Sequence, residues 1–268
     1  MPKVSICVLT YGDYPHLARR VIESIRANCP RSEYELIVGA NAIGNDTAQY
    51  LQFLEADNAI DHLVVSRQNL NKCPMMRKMF REVRTELIWW FDDDSYILDP
   101  TAFARWLGAV GTSPKETVMW GRMAWCNYTL GFAPDLPDAV AFVRSAPWYR
   151  GLPPPSWKPG GKGQFDFQGR GTGDGRWIFI VGGCWLIRTS AVLSLDWPDK
   201  RLSKMGDDAF LGEAIRQQGW DIMNIDNPGI AINAESRRGE IGASYDCSSN
   251  PVLLAPAQET QRQNTAEV

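Results

Sequence analysis

The chain has 268 residues, of which 44% are hydrophobic, 22% are charged and 11% are aromatic. This composition is typical of a globular protein with a real core, and it excludes a fibre, a coiled coil and a mostly disordered chain. The net charge of -3 argues against a protein that coats nucleic acid, although a local basic patch stays possible. No apolar run reaches the roughly 18 to 20 residues that span a bilayer, so we expect neither a membrane anchor nor a secretory signal.

Cysteine and histidine usage favours a reduced, cytoplasmic protein. The six cysteines form no CxxC pair, and Cys7 and Cys184 sit in apolar runs, where a free cysteine behaves as a small buried hydrophobe. The two histidines, His16 and His62, stand in unpromising contexts for a zinc site or a His-based nucleophile. We predict structural or solvent-facing roles for both.

The first hundred residues alternate short apolar runs with amphipathic segments, which is the pattern of βαβ units and a mainly parallel sheet. The predicted strands are residues 4–10, 35–39, 63–66 and 87–91. The predicted helices begin near Pro15, Asp46, Pro74 and Pro100. The fold class is therefore α/β, a mixed, mainly parallel sheet with helices on both faces.

The second half of the chain is less regular. Eight glycines and four prolines fall in residues 151–175, which predicts a long loop. Further strands are predicted at residues 117–125, 177–187 and 220–225, with a helix over residues 207–218. Residues 248–268 have too little apolar content to order themselves, and we predict a flexible tail there.

Three consecutive acids, Asp92, Asp93 and Asp94, follow a predicted buried strand. They cannot all be buried unpaired, so we expect a cation among them. Open α/β sheets bind ligands at the carboxyl ends of their strands, and carboxylate oxygens suit Mg²⁺ or Mn²⁺ bridged to phosphates. The alternative is a solvated turn that caps the helix near Pro100.

A second acidic pair, Asp207 and Asp208, opens a predicted helix. An aspartate there caps the helix and suits its dipole, so a purely structural role stays open. Together the two clusters indicate transfer to an acceptor hydroxyl, because one group neutralises a leaving phosphate while the other removes the proton.

The order of these motifs resembles that of family 2 glycosyltransferases, inverting nucleotide-sugar enzymes with the GT-A fold. Residues 4–11 and 34–38 resemble the first two strands, and residues 91–94 resemble the DxD signature. Residues 182–188 resemble the glycine-containing acceptor-side strand, and residues 206–208 resemble the ED motif. The resemblance implies one GT-A domain over residues 1–247, with a donor half of about 1–115 and an acceptor half of about 116–247.

The resemblance also implies roles for particular residues. The catalytic base would be Asp208, and the metal ligands would be Asp92 and Asp94, holding Mn²⁺ or Mg²⁺. Contacts to the nucleotide sugar would come from Thr10, Tyr11, Asn41, Arg77, Asp92, Asp93 and Gly183. The acceptor side would include Trp185 and Asp207.

Three departures from the family pattern affect this prediction. Asn41 follows the second strand where the family usually has an aspartate against uracil, so base recognition would pass to this amide. No histidine follows His62 to serve as a late metal ligand, and Asn233 or Glu235 stands near that place. The QxxRW signature of processive synthases is absent, which favours a single-transfer enzyme.

The predicted reaction is metal-assisted, inverting transfer of one sugar from a nucleotide-sugar donor, a UDP-sugar being favoured, to an acceptor hydroxyl. Basic and aromatic residues interleave over residues 144–176, which suits a glycan, a small molecule or a hydroxymethylated base in DNA as the acceptor. One alternative, a sugar-nucleotide pyrophosphorylase, needs a basic glycine-rich loop after the first strand, and residues 10–14 supply no basic residue. A non-catalytic carbohydrate- or nucleic-acid-binding module is disfavoured by the retained acids. The sequence indicates no oligomeric state.

Overall fold

The computed structural model describes residues 2–127, 139–152, 176–203 and 206–232. The predicted loop at residues 151–175 lies outside these ranges except for its first two residues. The predicted tail at residues 248–268 also lies outside them, as do Asn233 and Glu235.

The described residues form nine strands, seven α-helices and one short 3₁₀ helix at Arg31–Glu33. In chain order the strands and α-helices are β1 (Val4–Gly12), α1 (Pro15–Asn28), β2 (Tyr34–Ile43), α2 (Asn45–Ala56), β3 (His62–Ser66), α3 (Lys72–Phe80), β4 (Leu87–Asp92), β5 (Tyr96–Ile97), α4 (Ala102–Thr112), β6 (Thr117–Asn127), α5 (Ala139–Arg144), β7 (Arg176–Arg188), α6 (Thr189–Leu195), α7 (Asp207–Gln217), β8 (Asp221–Asn224) and β9 (Ile230–Ala231).

Seven strands form one sheet in the order β3-β2-β1-β4-β7-β6-β8. The pairs β1–β2, β2–β3, β1–β4 and β6–β8 are parallel, whereas β7 runs antiparallel to both β4 and β6. This arrangement confirms the predicted mixed, mainly parallel sheet. The chain passes from β1 through β2 to β3 on one side and then returns to place β4 on the other side. A crevice therefore opens between the carboxyl ends of β1 and β4, where open α/β sheets bind ligands.

Both faces of the sheet are buried under helices, as the sequence predicts. Along β1, Ile6 and Val8 pack with α1, α2 and α4, while Cys7 and Leu9 pack with α3, α5, α6 and α7. This alternation follows the two-residue period of a strand. None of the helices in the described ranges is both long and apolar enough to cross a lipid bilayer.

Three of the four predicted helix starts are displaced by one or two residues, and two of these helices begin near the crevice. Helix α2 begins at Asn45 rather than at Asp46: its N-cap is Gly44, and Asp13 accepts the Thr47 N–H at 3.2 Å. Helix α3 begins at Lys72 rather than at Pro74, because a proline in the first turn has no hydrogen bond to lose. The earlier start of α3 brings Lys72 to the crevice.

Candidate active site

The crevice between β1 and β4 is closed at its base by a bond between the two strand ends. The Tyr11 N–H donates to Asp93 Oδ2 at 3.3 Å, and Asp93 is only 1% exposed. Asp93, which was predicted to contact the nucleotide, is therefore buried, and its hydrogen bond holds the end of β1 against the end of β4.

Asp92 is the last residue of β4, and both of its carboxylate oxygens have donors. Trp90 Nε1 donates to Oδ1 at 3.0 Å, and Lys72 Nζ donates to Oδ2 at 3.0 Å. Burial raises the pKa of Asp92, and the Lys72 charge opposes that rise. The cation expected among the acids is thus supplied in this structure by the chain itself.

Lys72 links Asp92 to the other side of the site. Its ammonium lies 3.1 Å from Asp207 Oδ2 and 3.3 Å from the Gly182 carbonyl oxygen, in addition to its bond to Asp92. Burial lowers the pKa of Lys72, but the carboxylates of Asp207 and Asp92 raise it further, so the side chain stays charged. An ammonium has three protons, and here each has an acceptor.

The N-terminus of α7 carries Asp207 and Asp208 to this point. Asp208 Oδ1 accepts the N–H of Ala209 at 2.8 Å, and Oδ2 accepts the N–H of Gly182 at 3.2 Å. The helix dipole stabilises the negative charges there. Helix α7 is held close to β7 at Gly212, where an added Cβ would lie 2.3 Å from a β7 carbonyl oxygen.

Asp208 has the properties of a general base. Burial, and then repulsion from Asp207, raises the pKa of Asp208 to about 6. A carboxylate with that pKa is ionised at neutral pH and accepts a proton more readily than an ordinary aspartate. Because Asp208 Oδ2 rests on the Gly182 peptide, its position depends on the strand that Lys72 also contacts.

Asp94 provides an oxygen that suits a metal ion. Its Oδ1 is buried and has no hydrogen-bond partner among the described residues. Burial, and then repulsion from Asp92, raises the pKa of Asp94 to about 6. Buried carboxylate oxygens without donors are ligands for hard divalent cations, so this position fits Mn²⁺ or Mg²⁺. Among the described residues, no group of three or more His, Cys, Asp or Glu side chains could hold a metal ion together.

The predicted base-binding residues form a hydrogen-bonded layer behind the crevice. Thr10 is 1% exposed and donates to the Gly39 carbonyl at 3.0 Å, which joins β1 to β2. Asn41 is 2% exposed, accepts the Leu70 N–H at 2.9 Å and donates to Asn69 Oδ1 at 3.2 Å. Thr10 and Asn41 thus support this surface from within.

Tyr11 and Asn69 lie on the accessible side of that layer. The amide of Asn69 reaches the Tyr11 hydroxyl at 3.4 Å, and Asn69 Oδ1 accepts the N–H of Asn71 at 2.8 Å. Asn71 has a φ of 65° and a ψ of 174°, a strained backbone conformation that residues other than glycine rarely adopt. The resulting turn places Asn69 beside Tyr11. It also directs Lys72, the residue after Asn71, toward Asp92 and Asp207.

Two of the residues that the resemblance assigns to substrate make other contacts in the structure. The Arg77 guanidinium bonds to the Asp196 carboxylate at 2.7 Å and to the Asp196 carbonyl at 2.6 Å. Trp185 is 1% exposed and stacks on Trp90 at 5.6 Å, so it supports the residue that holds Asp92. Gly183 is buried in β7, and the next residue, Cys184, pairs with Phe91 of β4.

The sequence interpretation missed Lys72, Trp90, Asn69 and Gly182. One signal for Lys72 was available: it follows the third strand, just as Asp92 ends the fourth, and the carboxyl ends of parallel strands meet at one edge. The only cation of this helix that the sequence prediction included was Arg77, as a contact to the nucleotide sugar. The sequence around Trp90 predicts a core residue. Its second role, the hydrogen bond from its indole N–H to Asp92, gives no sequence signal.

The parallel sheet, the switch-point crevice and the two acidic groups across it define the GT-A class of fold. Residues 5–194 match the family described as glycosyl transferase family 2, which is more than half of the chain. The chain therefore belongs to glycosyl transferase family 2. No curated protein matches the sequence.

Solved structures share the fold at low sequence identity. The mannosyltransferase PcManGT from Pyrobaculum calidifontis, solved with GDP-Man and Mn²⁺, is 13% identical with a TM-score of 0.57 over 85% of this chain and 55% of its own. S. aureus TarS 1-349 in complex with UDP is 13% identical with a TM-score of 0.54 over 84% of this chain and 58% of its own. This chain thus spans little more than half the length of these proteins.

Proposed function

We propose that the protein transfers one sugar from a nucleotide-sugar donor to an acceptor hydroxyl, with inversion at the anomeric carbon. The observation that carries the proposal is the position of Asp208, which bonds to the Gly182 peptide that Lys72 also contacts, while Lys72 bonds to the strand-end acid Asp92. A base on one side and phosphate-binding acids on the other are what such a displacement needs. Membership of glycosyl transferase family 2 supports the proposal.

In the proposed mechanism, Asp208 accepts the proton of the acceptor hydroxyl as its oxygen bonds to the anomeric carbon. The bond between that carbon and the phosphate oxygen breaks, the nucleoside diphosphate leaves, and the configuration inverts. Asp208 is suited to this step because its pKa of about 6 keeps it ionised at neutral pH and still basic. The N-terminus of α7 keeps the carboxylate in place before and after it takes the proton.

Asp94 and Asp92 are the proposed metal ligands, with Mn²⁺ or Mg²⁺ as the ion. The ion would supply positive charge that neutralises the diphosphate as it leaves. The buried, unpartnered Oδ1 of Asp94 supports this assignment. The PcManGT structure contains Mn²⁺, which supports a divalent ion without indicating which one this chain uses.

We propose that Tyr11 and Asn69 contact the nucleotide base, with Thr10 and Asn41 supporting them. A UDP-sugar is favoured by the family resemblance, while the two related structures contain GDP-Man and UDP. An amide pairs with donors and acceptors on a base, whereas a carboxylate accepts only. The nucleotide of the donor therefore has to be identified by a direct screen.

The acceptor class and two rival functions also have to be considered. The proposed acceptors are a glycan, a small molecule or a hydroxymethylated DNA base. A pyrophosphorylase is disfavoured because the turn after β1 presents Asp13, which bonds to Thr47 of α2 where that class needs a basic loop. A binding module would hold the nucleotide without turnover. The cytoplasmic location is a prediction from cysteine usage, and the four cysteines with described side chains are buried free thiols.

The experiment is a donor-hydrolysis screen of UDP-, GDP- and TDP-sugars with Mn²⁺ and with Mg²⁺. Release of the nucleoside diphosphate, followed by proton NMR of the freed sugar, reports both turnover and the anomer formed. We expect one donor class to turn over with inversion and EDTA to stop the reaction. Nucleotide binding with no turnover for any donor would favour the binding module. Formation of a nucleoside triphosphate and a sugar 1-phosphate only when pyrophosphate is added would favour the pyrophosphorylase.

A further inference from the structure

Lys72 occupies the place where the donor-side and acceptor-side acids meet. Its ammonium contacts Asp92 at 3.0 Å, Asp207 at 3.1 Å and the Gly182 carbonyl at 3.3 Å. The lysine and aspartate side chains are 9 to 24% exposed, so water screens these contacts only in part. Lys72 is thus a cation built into the carboxylate cluster.

Asp92 has no carboxylate oxygen without a donor. Oδ1 accepts the Trp90 indole N–H at 3.0 Å, and Oδ2 accepts the Lys72 ammonium. Trp90 is fixed by stacking on Trp185, so its N–H cannot move away without disturbing the core. A divalent cation that binds Asp92 must therefore displace Lys72 or accept its positive charge as a close neighbour.

From this competition we infer that Lys72 keeps the divalent cation away from Asp92 until the donor diphosphate arrives. The inference rests on the proposed function, since it concerns the proposed metal ligand. Two like charges a few ångströms apart repel strongly in a partly buried site. The negative diphosphate relieves that repulsion, so metal and donor bind together, and metal alone binds weakly.

The test measures Mn²⁺ binding in the absence of any nucleotide, using the EPR signal of free Mn²⁺. In Lys72→Met and Lys72→Gln the competing charge is gone, and we expect Mn²⁺ to bind at least about tenfold tighter than to the wild type. Lys72→Arg keeps the charge and should stay weak. Lys78→Met, on the exposed side of the same helix, is the matched control and should match the wild type.

The wild type supplies a second measurement that needs no variant. Its Mn²⁺ affinity should rise at least tenfold when UDP or GDP, whichever binds, is added. If Mn²⁺ binds the wild type equally well with and without nucleotide, or if Lys72→Met and Lys72→Gln fold but bind Mn²⁺ no better, the inference is wrong. Removing Asp92 as well, in Lys72→Met with Asp92→Asn, should cancel the gain, and a gain that persists would place the competition elsewhere.

These results separate the inference from the proposed function. Tighter Mn²⁺ binding by Lys72→Met, with no turnover of any nucleotide sugar by the wild type, would uphold the competition and reject the transferase. Turnover by the wild type, with unchanged Mn²⁺ affinity in the lysine variants, would support the transferase and reject the competition. A merely structural lysine would lower stability without raising affinity for Mn²⁺ in any folded variant.

Discussion

Replacing Asp208 by asparagine tests the proposed base most directly. The variant keeps the size of the side chain and one acceptor oxygen, but it cannot take a proton from the acceptor. Loss of a general base lowers the rate by about 10² to 10⁴-fold. We therefore expect turnover to fall by that factor while donor binding survives, since the donor-side acids are unchanged.

The structure predicts that this loss comes without a loss of stability. The asparagine gives up one of the two backbone bonds to Gly182 and Ala209 and leaves a buried N–H without its acceptor, which costs about 1 to 3 kcal/mol. Against that, the pKa of Asp208 rises from 3.8 to about 6, so ionised Asp208 costs the folded state on the order of 2 to 3 kcal/mol at pH 7. The two effects are of similar size and opposite sign, so the variant should be about as stable as the wild type at pH 7.

The sign of the pH dependence follows from the same pKa. A raised carboxyl pKa means that the folded protein holds the proton more tightly, so this contribution to stability is present below pH 4 and is lost as the pH rises through about 6. The stability of Asp208→Asn relative to the wild type should therefore be highest at pH 7 and fall toward pH 5. The rate works in the opposite sense, because the base must be ionised: wild-type turnover should rise with pH up to about 6 and then level off.

The assay is nucleoside diphosphate release at saturating donor from pH 5 to 8, with thermal unfolding of the same samples. Asp221→Asn, an exposed aspartate at the start of β8, is the control and should change neither quantity. If Asp208→Asn turns over within about threefold of the wild type, Asp208 is only a helix cap, and Asp207 or a substrate group becomes the candidate base.

Three further substitutions probe the donor side and the scaffold. Asp94→Asn should abolish metal-dependent UDP binding in calorimetry while leaving the fold intact, because the crowded acids lose repulsion; unchanged affinity would move the metal elsewhere. Asn41→Ala leaves a buried N–H without its acceptor, which costs about 1 to 3 kcal/mol, and should weaken nucleotide binding by about tenfold or more. Gly212→Ala should lower both Tm and turnover by pushing α7 from β7, whereas Gly108→Ala, with open space around it, should raise Tm slightly.

The parallel part of the sheet was predictable because each strand carries its own signal. The apolar runs of β1 and β4 are buried on both sides, and such strands read as continuous hydrophobic segments. The antiparallel insertion of β7 between β4 and β6 was not predictable, because strand order depends on contacts between distant segments. Helices α5 and α6 and the β5–β9 pair are too short to give a periodic signal.

At the site, the acids were predictable and their partner was not. Asp92 and Asp208 stand at element ends that the sequence marks clearly, and buried acids imply a cation. Lys72 lies 20 positions before Asp92 and 110 before Gly182, so nothing local joins them. The sequence predicts that these acids need a cation, but it does not show that Lys72 supplies one of the positive charges, because sequence motifs identify charges to be balanced but not every group that balances them.

The two halves of the site share one cation and one glycine, so they form a single electrostatic unit. An added Cβ on Gly182 would lie 3.2 Å from Asp208 Oδ2, which is tighter than nine in ten real contacts of a Cβ atom, and 3.4 Å from Lys72 Nζ, which is an ordinary contact. Glycine therefore leaves room for the carboxylate at the N–H of this peptide and for the ammonium at its carbonyl. We expect a change at Asp92 that moves Lys72 to affect Asp208 through this peptide. Substitutions at Asp92 and Asp208 should not add independently, since residues that share a hydrogen-bond network are coupled. In the proposed mechanism, donor binding at Asp92 and proton abstraction by Asp208 would therefore be two events on one network.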